Sequence, residues 1–158
     1  MSAHQFEFLT ATGEALPLSR FAGHPVLIVN TASRCGFTPQ YRDLQGLWER
    51  YRTRGLTVIG VPSNDFGAQE PGTEAEIVSF CEINYSVTFP LTAKQQVVGA
   101  EAQPFYRWVG EVAGEDARPR WNFHKYLIGP EGELVEIYPS KTGPLDAALV
   151  AEIEKLLP

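Results

Sequence analysis

Two of the 158 residues are cysteines, Cys35 and Cys81, and a thiol is the side chain best suited to nucleophilic attack near neutral pH. Cys35 lies in Asn30-Thr31-Ala32-Ser33-Arg34-Cys35-Gly36-Phe37-Thr38, just beyond a β-branched run and just before a helical pattern. A thiol near the first turn of a helix has its thiolate favoured by the positive end of the helix dipole, and Arg34 adjoins it. A cysteine taken at random is more often an inert small hydrophobe in a core, but a loop rich in Ser, Thr and Gly is a poor place to hide apolar sulfur. Cys35 to Thr38 spells C-x-x-T, so no local disulfide closes and the chemistry begins on a single sulfur.

Simple arithmetic limits what that sulfur does alone. At an unperturbed pKa near 8.5 about 3% of a thiol is ionised at pH 7, and a pKa of about 6 raises this to about 90%. The gain is about thirtyfold, or roughly 2 kcal/mol. Rapid nucleophilic attack needs more, namely neutral donors that stabilise charge developing on sulfur and on the leaving group. Two loops offer them. Residues 64–72 contain the amides Asn64 and Gln69, and Arg120-Trp121-Asn122-Phe123 supplies an indole and another amide. Taken singly, Asn64 and Gln69 read as turn-stabilising side chains and Trp121 as an anchoring aromatic.

The elements that must position these residues follow from periodicity. Residues 5–9 alternate polar and apolar, Thr12-Gly13-Glu14 turns the chain, and residues 15–18 return as a hairpin arm. Residues 25–30 form a β-branched run without polar alternation, expected as a strand buried on both faces. Leu44, Leu47, Trp48 and Tyr51 recur at helical spacing ahead of a capping Gly55. Residues 56–61 make a second buried strand, and Thr73-Glu74-Ala75-Glu76 opens a helix to Tyr85 with a capping box. A helix over residues 103–109, strands at 125–129 and 134–138 around Pro130-Glu131-Gly132, and a helix over 145–157 complete the order. A parallel strand–helix–strand unit followed by a hairpin and a terminal helix is the order of the thioredoxin fold, an α/β class with a mixed sheet flanked by helices. One domain over residues 1–158 is expected.

Three segments carry a resemblance to a known family. Residues 30–38, then Phe66-Gly67-Ala68-Gln69-Glu70-Pro71-Gly72, then Trp121-Asn122-Phe123-His124-Lys125-Tyr126-Leu127 resemble the signatures of glutathione peroxidases, in order and at similar separations. The resemblance covers almost the whole chain. It implies a thioredoxin-like peroxidase with Cys35 as the peroxidatic residue and Gln69, Trp121 and Asn122 completing the tetrad that activates sulfur and peroxide. Hydrogen peroxide and small organic hydroperoxides are the implied substrates. Members that use thioredoxin carry a second cysteine on or near the helix after the second motif, which condenses with the sulfenic acid. Cys81 is the counterpart, one residue nearer the helix start than in the plant-type pattern. Read from its own surroundings, Cys81 shares a stripe with Ile77 and Tyr85, so a core role is equally open. If it is only structural, an external thiol such as glutathione becomes the reductant.

Departures narrow the reading. Ser63 stands where the family often has Cys, and Asp65 where it often has Gln. The stretch from Val109 to Trp121 is short where tetrameric, glutathione-using members carry an insertion, so a monomer or loose dimer is expected. A peroxiredoxin signature would require Pro at Ile28 and Thr at Ala32. A copper chaperone would require a second thiol close to Cys35, and residues 36–41 hold none. A peroxide sensor passing its disulfide to a partner would use the same residues and stays open.

Composition sets the remaining bounds. Thirteen Lys and Arg against nineteen Asp and Glu give a formal charge of -6, the wrong sign for nucleic acid. His4, His24 and His124 are isolated, so no metal site and no cofactor are expected. The longest aliphatic runs, at 26–29 and 58–61, fall far short of the roughly 20 residues of a membrane helix. The first residues show no basic and apolar leader, so a cytoplasmic location is the expectation.

Overall fold

The structure is a computed structural model that describes residues 2–158. Two short strands, β1 (Glu7–Leu9) and β2 (Ala15–Pro17), pair antiparallel as the alternation predicts and form a sheet of their own. The main sheet contains β3 (Val26–Thr31), β4 (Thr57–Pro62), β5 (Lys125–Ile128) and β6 (Leu134–Tyr138) in the order β4-β3-β5-β6. β3 and β4 run parallel, and β5 runs antiparallel to both β3 and β6. All six residues of β3 are buried, which is why its sequence lacks polar alternation. This is the thioredoxin-like arrangement.

Alternate residues of β3 feed two cores. Leu27 and Val29 pack beneath α1 (Gln40–Tyr51), α2 (Glu74–Tyr85) and α4 (Ala147–Leu156), through Tyr41, Leu44, Leu47, Ile77, Leu149 and Ile153. Val26 and Ile28 face the other way, toward the β1–β2 hairpin and α3 (Pro104–Ala113), where Phe8, Phe105, Tyr106 and Trp108 lie. The Phe105 ring touches Phe8, Trp108 and Tyr126 at centroid separations of 6.0, 5.9 and 6.1 Å. The helices start where their caps dictate. Thr73 and Glu76 close the reciprocal box on α2 at 3.0 and 3.3 Å, the Gln103 side chain accepts from the Phe105 amide, and Asp146 caps α4.

Two differences from the sequence reading concern extent. α1 begins at Gln40, one turn before the apolar repeat starts at Leu44, and buries Tyr41. α3 runs on to Ala113, past the Val109 at which the predicted helix stops, because its last turn is solvent-facing and carries no apolar repeat. The topology has one overriding result. Parallel β3 and β4 end at the same edge of the sheet, and antiparallel β5 begins there, since Val29 pairs with Lys125. The loops after β3 and β4 and before β5 therefore converge.

Phe105→Ala, which empties the middle of the second core, is expected to lower unfolding free energy by about 3–5 kcal/mol. Equilibrium denaturation by urea checks it.

Candidate active site

Cys35 sits in the loop between β3 and α1, half-buried. Thr38 shapes that loop: its hydroxyl accepts from the Cys35 N–H at 2.9 Å and donates to the Ala32 carbonyl at 2.8 Å. The Thr38 N–H in turn donates to the Cys35 carbonyl at 3.0 Å. The residue that replaces a second cysteine thus folds the nucleophile's loop. Sequence reasoning read Thr38 only as a missing thiol, although a Thr three residues after a loop residue is itself a turn signal.

Cys35 lies just before α1, as the sequence predicts, with a run of turns between them. Residues 36–39 form turns, and α1 begins only at Gln40. Dipole stabilisation fades within a turn of the helix end, so a nearer donor serves the sulfur. That donor is the Phe37 amide, which reaches Cys35 Sγ at 3.3 Å.

The second loop reaches Cys35 through its backbone. The Arg34 N–H donates to the Gln69 carbonyl at 3.0 Å, fastening the two loops together. Gly67 and Ala68 take consecutive left-handed conformations, φ 65° and 52°, and this double turn carries the chain to Gln69. A Cβ on Gly67 would stand 3.4 Å from the Trp121 ring. Asn64 has the turn role: its side-chain oxygen accepts from the Glu70 N–H at 2.9 Å.

The third loop is tied to β3 by Asn30, which is fully buried. Its side chain donates to the Trp121 carbonyl at 2.9 Å, and its own carbonyl accepts from the Phe123 N–H at 2.6 Å. Phe123 adopts a left-handed φ of 65° in this grip. Asn30 belongs to the first signature segment, but nothing in its local sequence marks it as the anchor of a loop 91 residues away.

Gln69 and Asn122 meet directly. Asn122 Nδ2 donates to Gln69 Oε1 at 2.8 Å, which occupies the carbonyl end of the Gln69 amide and leaves its N–H donors uncommitted. The Trp121 ring leans on Phe66 with centroids 5.6 Å apart and stays 37% exposed. Among the described residues no hydrogen bond joins Cys35 Sγ to Gln69, Trp121 or Asn122. An open, apolar-lined groove of about 280 Å³ runs past Phe37, Trp121, Pro139 and Lys141.

Two titratable side chains, Lys125 and His124, are buried below these loops. Burial pushes Lys125 down to about 7, and its ammonium donates to the Phe123 carbonyl at 2.7 Å and the Ser140 carbonyl at 3.3 Å. Burial first, then the charges of Lys125 and Arg120, push His124 down to about 4. The imidazole Nδ1 accepts from the Arg120 N–H at 3.3 Å, and the ring stacks on Tyr126.

Cys81 occupies the opposite kind of site. It is fully buried on α2 in the first core, and burial pushes its thiol up to about 11, with the Tyr41 hydroxyl opposing the rise and Glu70 and Glu82 adding to it. Both cysteines are free thiols.

A half-exposed thiol supplied with a backbone donor stands in a loop at the convergent edge of a thioredoxin-like sheet. Comparison with known proteins places the chain in a family. The family model described as Glutathione peroxidase matches residues 3–110. A hydroperoxy fatty acid reductase from Synechocystis is 46% identical over 153 residues, covering 92% of this chain and 89% of its own. The Glutathione peroxidase-like peroxiredoxin HYR1 of Saccharomyces cerevisiae is 44% identical over 148 residues, covering 92% and 90%. Among solved structures, T. cruzi GPX1 superposes with a TM-score of 0.78 at 30% identity, covering 99% of this chain and 96% of that one. The chain belongs to the glutathione peroxidase family, and it is a thiol peroxidase.

The pH dependence of stability should carry the mark of His124. The unfolded chain takes up this proton near 6.5, whereas the folded one holds off until about 4. Between those values the unfolded state binds more protons, so stability falls as pH falls. The loss attributable to His124 is about 3 kcal/mol by pH 4. Urea unfolding of wild type and His124→Gln at pH 7 and at pH 4.5 should show a shallower acid decline in the variant.

Proposed function

We propose that Cys35 is the peroxidatic residue, that Gln69, Trp121 and Asn122 assist it, and that Cys81 resolves the oxidised product. The Cys35 thiolate attacks the terminal oxygen of a hydroperoxide, the O–O bond breaks, and water or an alcohol leaves once protonated. The Cys35 sulfenic acid then condenses with Cys81 to a disulfide, releasing water, and a thioredoxin dithiol reduces that disulfide by exchange. The observation that carries this reading is the convergence of Cys35, with the Phe37 amide on its sulfur, and the Asn122–Gln69 pair on two clamped neighbouring loops.

Support for each assistant is physical. The amide orientation imposed by Asn122 frees the Gln69 donors, and the Trp121 indole N–H has no partner among the described residues. Preorganised neutral donors of this kind act where charge develops. The groove beside Trp121 is apolar, with Arg120 and Lys141 at its rim, which suits a hydroperoxide with a hydrocarbon chain and an anionic head. The name of the Synechocystis relative points the same way. Relatives named as peroxiredoxins favour a protein dithiol over glutathione as reductant. A one-domain monomer or loose dimer in the cytoplasm completes the proposal.

Peroxide-dependent NADPH consumption, coupled to thioredoxin and its reductase or to glutathione and its reductase, tests the roles. Cys35→Ser should abolish turnover, and Gln69→Ala or Trp121→Phe should each lower kcat/KM by about 10²–10³-fold. Full turnover in Cys35→Ser would overturn the assignment.

Cys81 is tested separately. One equivalent of peroxide should remove both free thiols from wild type without crosslinking chains. Cys81→Ser should stop at a trappable Cys35 sulfenic acid and lose turnover with thioredoxin. Retained thioredoxin turnover in that variant would make Cys81 structural.

A further inference from the structure

Among the described residues, four buried polar atoms near the Cys35 loop, Thr31 Oγ1, Ser33 Oγ, the Tyr41 hydroxyl and Glu70 Oε2, make no hydrogen bond of good geometry, although Thr31 neighbours Tyr41 and Ser33 neighbours Glu70. Buried polar groups are nearly always satisfied, so such a cluster calls for a physical account. Glu70 is only 1% exposed. It lines a cavity of about 150 Å³ with Ser33, Arg34, Glu76, Ile77 and Phe80, between the Cys35 loop and α2. Phe80 directly precedes Cys81, and Ile77 lies one turn before it. The cavity is roomy and polar enough to admit water bridging Ser33 and Glu70. Tyr41, wholly buried on α1, has the Cys81 thiol and the Thr31 hydroxyl beside its own and Glu70 within electrostatic reach. Ser33 flanks the Glu70 carboxyl.

We propose that Glu70 accepts the proton of Cys81, through the hydroxyls of Tyr41, Thr31 and Ser33, when Cys81 attacks the oxidised Cys35. This rests on the resolving role proposed for Cys81. In the step the Cys81 S–H bond breaks and its proton passes along the hydroxyls to the Glu70 carboxylate. The sulfur electron pair forms the S–S bond to Cys35, and the Cys35 S–O bond breaks. The departing hydroxide recovers a proton from Glu70, so water leaves and the carboxylate is restored. Cys35 sulfur is reduced as far as Cys81 sulfur is oxidised, and no outside oxidant or reductant enters.

The chemistry needs such an acceptor. With its thiol pushed up to about 11, Cys81 is ionised only about one part in 10⁴ at pH 7. Burial also raises the proton affinity of Glu70, opposed by Ser33, Lys94 and Arg34. The transfer moves one negative charge within the core and creates none. On the Cys81 side the facing charges are Glu70 itself and Glu82 of α2, and both resist a thiolate there. A thiolate left among apolar side chains is unstable, which favours its passage toward the polar Cys35 loop. Of the twelve residues of α2 only Ile77 and Cys81 are fully buried, with Phe80 and Tyr85 packed at the edge of the core, so local opening of the helix need expose few side chains.

Rapid-mixing kinetics on the full chain test the proposal. Cys35 sulfenylation is read by trapping in a Cys81→Ser background, and disulfide closure by thiol count and mass with Cys81 present, both from pH 4 to 10. Glu70→Gln should leave sulfenylation within about threefold but slow closure at least about tenfold at pH 7, the scale of general-base assistance. Wild-type closure should decline on the acid side as Glu70 is protonated, the variant should lack that decline, and the two rates should converge toward pH 10. Tyr41→Phe, which keeps the ring and removes the hydroxyl, should show the same pH-dependent defect and serves if Glu70→Gln does not fold. Unchanged closure in both variants, or slowing by one constant factor at every pH, overturns the relay. A wild type that stops at the sulfenic acid overturns the resolving role itself, an outcome readily told apart from loss of the relay.

Discussion

Everything at the site hangs on how the end of β3 is tied to the chain entering β5. Asn30 is buried there and serves two loop groups at once, donating to the Trp121 carbonyl and accepting from the Phe123 amide. A buried carbonyl or amide left bare costs about 1–3 kcal/mol, so the loop has a strong reason to keep this path. Phe123 consequently holds a backbone conformation that a bulky side chain rarely adopts. The Lys125 ammonium strengthens the grip by binding the Phe123 carbonyl and the Ser140 carbonyl, and the Gln40 side chain donates to that same Ser140 oxygen at 2.7 Å. The first residue of α1 is thereby linked to the loop bearing Trp121 and Asn122. A charge is kept below the site at the expense of its hydration because it joins pieces of chain that share no strand.

The two sulfurs show how surroundings divide labour between identical groups. Cys35 is half-exposed, receives a backbone N–H and lies among the convergent loops. Cys81 is packed among Tyr41, Ile77 and their neighbours, where the neutral thiol is strongly favoured. The order of events follows from this contrast. In the proposed reaction the exposed sulfur is oxidised first, and the buried one takes part only after losing its proton and moving, since disulfide geometry requires Cα atoms within about 7 Å. A lightly packed α2, capped firmly at Thr73 but ending in left-handed Ser86, is suited to a movement of that sort.

Much of the scaffold was legible in the order of residues. Unalternating β-branched runs marked β3 and β4, Thr73 and Glu76 marked the head of α2, and Gly55, at φ 113°, marked the turn after α1. These signals are local, set by strand burial, side-chain reach and the freedom of glycine. Less legible were the start of α1, hidden because Gln40 and Arg42 carry no apolar repeat, and the last turn of α3, which faces solvent. The amide that reaches the Cys35 sulfur was not legible, because Thr38 draws residues 35–38 into a turn before the helix begins.

What the order of residues determined alone was the fold, the candidate nucleophile and the two loops that lie near it, since thiol chemistry and periodicity depend on residue type and near neighbours. Only tertiary structure decided that Asn122 orients Gln69 across 53 positions, that Asn30 holds Trp121 across 91, and that Cys81 lies in the core beside Tyr41. Those contacts are set by strand register and by the convergence of parallel and antiparallel ends at one edge. The energy of a hydrogen bond depends on distance and direction in space, which separation along the chain does not specify.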